Sequence, residues 1–295
     1  MELLNYLATT RTVFGELFWN FITKFGEETI LILLLSIIYW CYNKKLAQMI
    51  GFTFFLSGYL VQGLKITFRI DRPWIKDPNF KPVSSAYETA TGYSFPSGHT
   101  QAATAVYSTI GFFIKKWWRI FFFIIPLAVV FSRMYLGVHT PTDVFTSLLL
   151  SLLISYLVSY FYQKSDGKHI GWFLLIIIIF GFALMIYSFV LYNKQIIDYS
   201  YVTDCCKTAG AGMGFACGVF LEQRFVNFHT KTKHFYTQLL KIVFGIVGLL
   251  SIQIGLKTIF LVVFGEVIFT DVLRYFLMIL WVSYICPLVF NRYMK

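Results

Sequence analysis

The chain has 295 residues, 58% hydrophobic, 20% aromatic and only 13% charged, with a formal net charge of +11. A soluble domain carries about 25% charged residues, so this balance excludes an ordinary soluble globule and reads as a polytopic membrane protein. The basic residues fall mostly in short loops between apolar runs, with no basic patch interleaved with aromatics. That pattern argues for membrane orientation and against a nucleic-acid partner.

In chain order, Met1 to Phe25 places Leu3, Leu7, Phe14, Leu17, Phe18, Phe21 and Phe25 at helical spacing. The spacing predicts an interfacial amphipathic helix closed by Gly26, with a true span as the alternative. The stretch lacks the basic start and small-residue cleavage site of a signal peptide. A bilayer core needs about 20 apolar residues per helix. Nine runs qualify as candidate spans, at roughly 27–43, 47–68, 99–115, 119–137, 142–163, 170–192, 204–222, 236–257 and 268–290. The segment Arg69–Gly98, with Pro73, Pro78, Pro82 and Pro96, reads as a loop. The expected fold is an all-α transmembrane bundle. Its parts are an interfacial segment 1–26, a five-span core 27–165 and a C-terminal region 166–295 with about four spans.

With nine spans, one face collects Lys44 and Lys45, then Lys115, Lys116 and Arg119, then Lys164 and Lys168. The same face takes Arg224, Lys231 and Lys233, and finally Arg292 and Lys295. This is the expected cytoplasmic face, and a plasma membrane is the simplest setting. The loop Arg69–Gly98 and the turn Arg133–Asp143 then face outward. Lys65, Arg69, Arg72, Lys76, Lys81 and Arg133 run against the orientation rule and need another reason to be there. Cys41, Cys205, Cys206, Cys217 and Cys286 have no metal-ligand spacing and read as packing residues. Gly210, Gly214 and Gly218 form a repeated G-x-x-x-G that lets a helix approach closely. Internal packing is the first reading and a homodimer contact the second.

Three polar clusters stand at outer span ends: "KITFRIDRP" (Lys65–Pro73), "PSGH" (Pro96–His99) and "SRMYLGVHTPTD" (Ser132–Asp143). In the third, Thr140 can cap a helix with Pro141 at its first position and Asp143 one turn in. That is either a plain capping box or a carboxylate that orients the His139 ring and leaves Nε2 as nucleophile or base. Within "YSFPSGHTQAATAVY", Ser97 or its neighbours cap a helix beginning near His99. Its backbone N–H groups would suit an anion, and Gly98 would permit close approach. Lys65 and Arg72 are seven residues apart and share a helical face if the helix runs on to Pro73. Arg suits bidentate phosphate contacts and Lys adds a point charge; snorkelling is the plainer alternative. Ionisable groups gathered at a membrane edge favour function over accident, and together these make a phosphate site with a nucleophile and an acid.

These clusters resemble the signature of the type 2 phosphatidic acid phosphatase (lipid phosphate phosphatase) family, K-x6-R-P, P-S-G-H and S-R-x5-H-x3-D. Every fixed position is matched in order: Lys65, Arg72, Pro73; Pro96, Ser97, Gly98, His99; Ser132, Arg133, His139, Asp143. The resemblance covers roughly residues 25–165. It implies a phosphatase/haloperoxidase-like helical core that hydrolyses a lipid phosphate or diphosphate on the outer face, with no metal or other cofactor. His139 would attack phosphorus, Asp143 would orient it, and His99 would protonate the leaving oxygen and then activate water. Lys65, Arg72, Ser97, Gly98 and Arg133 would hold the phosphoryl group. Phosphatidic acid, phosphatidylglycerol phosphate, polyprenyl diphosphate and sphingoid phosphates all fit as substrates, with Lys76–Tyr93 bordering the entrance. The alternatives are a phosphotransferase, a haloperoxidase, and a non-catalytic transporter or lipid-binding protein. In the last, Lys207, Glu222, Lys257, Glu266, Asp271 and Arg274 would line a path.

Overall fold

Long apolar runs in lipid must satisfy their own backbone groups, which favours helices. The computed structural model describes residues 1–87, 90–165, 169–230, 232, 234–265 and 267–294, and among these there is no strand. The helices are α1 (Glu2–Thr9), α2 (Val13–Thr23), α3 (Glu28–Ile37), α4 (Lys44–Phe68), α5 (Pro73–Lys76) and α6 (Ser84–Tyr87). They continue with α7 (Gly98–Ala103), α8 (Thr109–Phe113), α9 (Phe121–Tyr135), α10 (Pro141–Lys164), α11 (Ile170–Asn193) and α12 (Tyr199–Leu221). The chain ends with α13 (Phe235–Ser251), α14 (Lys257–Phe264), α15 (Ile268–Leu280) and α16 (Cys286–Tyr293). Wider π turns join α7 to α8, α13 to α14 and α15 to α16. Helix thus occurs at all nine predicted places, and among the described residues six stretches are long and apolar enough to cross a membrane. The protein is a multi-pass integral membrane protein. Lys168, Lys231, Lys233, Lys295 and Glu266 lie outside the described residues.

The chain divides into two compact units, Met1–Ile32 with Leu60–Ser159, and Leu33–Tyr59 with Tyr160–Lys295. In the first, the N-terminal segment is two helices rather than the single one expected. The Thr12 side chain accepts the Gly15 N–H at 3.1 Å, so a new helix starts after the break at 10–12. Trp19 of α2 packs on Phe131 and Tyr135 of α9, with ring centroids 4.7 and 6.0 Å away. Leu7, Val130, Met134, Tyr135 and Val144 form the core there. The other face of α2 exposes Val13, Phe14, Leu17 and Phe21. Within the segment 69–98, Val83 and Ala86 pack on Leu136 and Val138, and the Val83 N–H donates to the Leu136 carbonyl at 3.0 Å. The segment read as plain loop therefore carries α5 and α6 and is pinned to the turn before α10.

In the second unit, a Cβ at Gly210 would lie 2.5 Å from the Val272 carbonyl oxygen, and one at Gly214 would lie 2.3 Å from that of Phe276. The glycine face of α12 is packed against α15 of the same chain. Lys44 Nζ meets the wholly buried Glu222 at 3.0 Å, and Glu222 also accepts the Phe228 N–H at 2.9 Å. Lys207, Lys257, Asp271 and Arg274 line a cavity of about 460 Å³ together with Asp204. Glu222 belongs to the Lys44 cluster and does not line it.

Candidate active site

The site lies in the first unit. It is assembled from the end of α4, the segment leading into α7, the end of α9 and the turn into α10. Helix α10 begins as the sequence predicts, with Pro141 in its first position. Asp143 Oδ2 accepts the Thr140 N–H at 2.8 Å. The same oxygen lies 3.6 Å from His139 Nδ1. The two readings of this stretch therefore coexist: Asp143 caps the helix and faces the histidine. Ser97 caps α7, accepting the Thr100 N–H at 3.5 Å and the Thr100 hydroxyl at 3.1 Å. Its own N–H donates to the Asp143 carbonyl at 3.2 Å, which ties the start of α7 to the first turn of α10. The Phe95–Pro96 peptide bond before it is cis.

Lys65 and Arg72 do not share a helical face. Helix α4 ends at Phe68 because Arg69 turns into the left-handed region at φ +50°, and Arg72 is extended, at φ −66° and ψ 154°. This break turns the Arg72 side chain inward. Its Nε donates to the Gly92 carbonyl at 2.9 Å, Nη2 to that of Thr91 at 2.7 Å and Nη1 to that of Val138 at 2.9 Å. Nη1 also lies 3.0 Å from His139 Nε2. A guanidinium can only donate, so Nε2 is the acceptor. The proton of the neutral ring is then assigned to Nδ1, facing Asp143. Burial holds the His139 imidazole well below the usual histidine value; Arg72 pushes it further down and Asp143 only partly offsets this.

Arg133 is buried on the last turn of α9. Its Nη1 donates to the Thr23 hydroxyl at 3.0 Å, while its Nε–H has no acceptor among the described residues. A buried charged donor without an acceptor is costly and suits an anion. His99 is half-buried, within electrostatic reach of Arg133, His139, Lys65 and Arg72. A Cβ built on Gly98 meets nothing within 4 Å, so space opens beside the first turn of α7. Gly26, by contrast, sits where a Cβ would be 2.7 Å from the His99 carbonyl oxygen. The eight predicted residues Lys65, Arg72, Ser97, Gly98, His99, Arg133, His139 and Asp143 therefore come together.

Three participants were not anticipated. The buried Ser94 hydroxyl donates to Asp143 Oδ2 at 2.6 Å and lies 3.5 Å from His139 Nδ1. Thr23 reaches Arg133 from α2, and Gly26 abuts His99. Ser94 stands two residues before Pro96 and had a signal in its nearness to the motif. Thr23 and Gly26 had none, since only the fold carries the N-terminal segment to the site. Among the described residues, no three His, Cys, Asp or Glu side chains cluster as metal ligands do.

Residues 47–167 match the PAP2 superfamily, and residues 206–294 match the PAP2 superfamily phosphatase, transmembrane extension. The dihydrosphingosine 1-phosphate phosphatase of Saccharomyces cerevisiae is 24% identical over 243 residues, covering 73% of this chain and 55% of that protein. The undecaprenyl-diphosphatase of Sulfolobus acidocaldarius is 30% identical over 131 residues, covering 44% and 62%. Phosphatidylglycerophosphatase B of Bacillus subtilis is 36% identical over 88 residues, covering 26% and 41%. The chain thus spans less than two thirds of the length of each of these relatives. A crystal structure of a transmembrane PAP2 type phosphatidylglycerolphosphate phosphatase from Bacillus subtilis is 26% identical, covers 55% of this chain and 84% of that one, and has a TM-score of 0.48. The last four predicted spans, outside the motif resemblance, thus fall largely within a family segment of their own, and the chain belongs to the PAP2 superfamily, with a PAP2 domain and a transmembrane extension.

Proposed function

We propose that this protein is an integral membrane phosphatase that hydrolyses a lipid phosphate or lipid diphosphate through a phosphohistidine on His139. The observation that carries the reading is the orientation of His139: Arg72 donates toward Nε2 at 3.0 Å while Nδ1 faces Asp143. A neutral imidazole in this tautomer presents its lone pair at Nε2. The relatives' names point to lipid phosphates and diphosphates as the substrate class.

In the proposed reaction, Nε2 attacks phosphorus as the bond from phosphorus to the lipid oxygen breaks. His99 gives that oxygen its proton, and the lipid alcohol leaves, or the lipid monophosphate when the substrate is a diphosphate. His99 then accepts a proton from water, whose oxygen attacks the phosphohistidine and releases inorganic phosphate. Arg133, with its unaccepted Nε–H, and Lys65 balance charge on the phosphoryl oxygens; Arg72 transfers a hydrogen bond to them as Nε2 forms its bond. Ser97 and Gly98 shape the start of α7, where the phosphoryl group rests. Cations perform the charge stabilisation that a metal supplies elsewhere, which supports a metal-independent reaction. The bias of Lys and Arg toward the opposite face supports an outward-facing site, with a plasma membrane as the setting.

The test is phosphate release from a panel of lipid mono- and diphosphates in excess EDTA, comparing purified wild type with His139→Ala. Release by wild type alone is the expected result. A His139→Ala protein that releases phosphate at the wild-type rate removes the proposed nucleophile.

A further inference from the structure

We propose that Ser94 is a positioning residue for the nucleophile, completing a His139–Ser94–Asp143 relay; the proposal rests on the assignment of His139 above. Asp143 Oδ2 already accepts two short hydrogen bonds, from the Ser94 hydroxyl at 2.6 Å and the Thr140 N–H at 2.8 Å. His139 Nδ1 is 3.6 Å from that oxygen, beyond a normal N–H···O distance. It is 3.5 Å from Ser94 Oγ, also longer than a normal N–H···O bond, so neither oxygen alone holds the ring. The Nδ1–H therefore faces the carboxylate and the hydroxyl together. The Ser94 proton is committed to Asp143, so the oxygen turns its lone pairs toward the ring.

The arrangement matters most when His139 carries the phosphoryl group. A ring substituted at Nε2 and protonated at Nδ1 is cationic, and the nearest negative charge is on Asp143. The hydroxyl polarised by that carboxylate passes the stabilisation on to Nδ1–H. It also fixes the carboxylate, whose other short contact is to the backbone of its own helix. Ser94 is held in turn by its N–H, which donates to the Ile70 carbonyl at 2.7 Å. It is fully buried, as are Asp143 and His139 to within 2%. A methyl group in its place keeps the volume and removes both the donor to Asp143 and the acceptor for Nδ1.

The experiment compares Ser94→Ala, Ser94→Cys, Asp143→Ala and the Ser94→Ala/Asp143→Ala double variant with wild type and His139→Ala. The substrate is a lipid phosphate monoester in detergent, and the readouts are kcat, KM and the rate of acid-labile phosphoenzyme formation. Ser94→Ala is expected to slow phosphoenzyme formation and kcat by about 10- to 100-fold, with KM within about twofold. Ser94→Cys keeps a side chain of similar size but donates weakly, and should fall likewise. In the Asp143→Ala background, Ser94→Ala should cost less than about twofold, because it acts through that carboxylate. Folded Ser94→Ala or Ser94→Cys protein with wild-type kcat overturns the relay, as does a full effect of Ser94→Ala without Asp143. If Ser94→Ala does not fold, Ser94→Cys decides. Failure of the nucleophile assignment has its own signature, a His139→Ala protein that still turns over.

Discussion

Two glycines flank His99 and should respond oppositely to a single added methyl group. At Gly98 the new Cβ meets nothing within 4 Å, and the backbone is already helical. Gly98→Ala should leave the fold intact or raise stability by about 0.5–1 kcal/mol, through the lower entropy of the unfolded chain. Its methyl group projects into the space assigned to the phosphoryl group, so inhibition by orthovanadate, a phosphate mimic, should weaken at least about tenfold, an effect of about 1.4 kcal/mol. At Gly26 the Cβ would stand 2.7 Å from the His99 carbonyl oxygen and 3.0 Å from Val129 Cγ1. Neither can retreat without moving α7 or α9, so Gly26→Ala should cost about 1–3 kcal/mol as an overpacked contact. The assay pairs thermal unfolding in detergent with vanadate inhibition of phosphate release. A Gly98→Ala protein that is inhibited like wild type, or that is markedly destabilised, refutes the placement of the phosphoryl group beside α7.

Arg72→Lys should be far from conservative: one ammonium cannot serve acceptors on both the 91–92 segment and the turn before α10. The buried Val138 carbonyl would lose its partner, at about 1–3 kcal/mol, and phosphoenzyme formation should fall; an unchanged unfolding midpoint contradicts this. His139 is held neutral in the folded protein, so below about pH 6.5 the unfolded chain binds a proton that the folded one does not. Stability should therefore drop as pH falls, by about 1.4 kcal/mol per unit for this group until the folded value is reached. The acid loss between pH 6.5 and 5.5 should be smaller in His139→Gln; an equal loss rules this origin out. Lys44→Met should leave Glu222 buried without its cation and destabilise the second unit by about 3–5 kcal/mol, read as a lower midpoint of thermal unfolding.

Spacing and residue type carried much of this molecule. That helix occurs at the nine predicted places follows from the apolar runs, though among the described residues only six stretches are long and apolar enough to cross a membrane, and the turn around Thr140–Asp143 follows from capping chemistry. The positive φ of Arg69 has no such signal, because an arginine there is uncommon and only the surrounding fold requires it. That single residue changes Lys65 and Arg72 from neighbours on one helix into groups arriving from different directions. Nearness to the motif was the one signal for Ser94, because a serine two residues before a proline reads as turn chemistry, and its hydroxyl acquires meaning only when α10 brings Asp143 to it. Thr23 and Gly26 depend on contacts about 70–110 residues away in sequence, to His99 and Arg133, which no local pattern can encode.

With His139 as the proposed nucleophile, the Arg72 hydrogen bond to Nε2 would also govern what the resting protein can react with. A free imidazole lone pair would attack many electrophiles, including the neutral carboxylic esters of membrane lipids. Here that lone pair is already engaged by Arg72 at 3.0 Å. A visitor must first offer the guanidinium a better acceptor, and a charged phosphoryl oxygen does so where an ester carbonyl does not. On the proposed mechanism, chemoselectivity would be imposed at the reacting atom rather than by the walls around it: the anion that is to be attacked would be what uncovers the nucleophile.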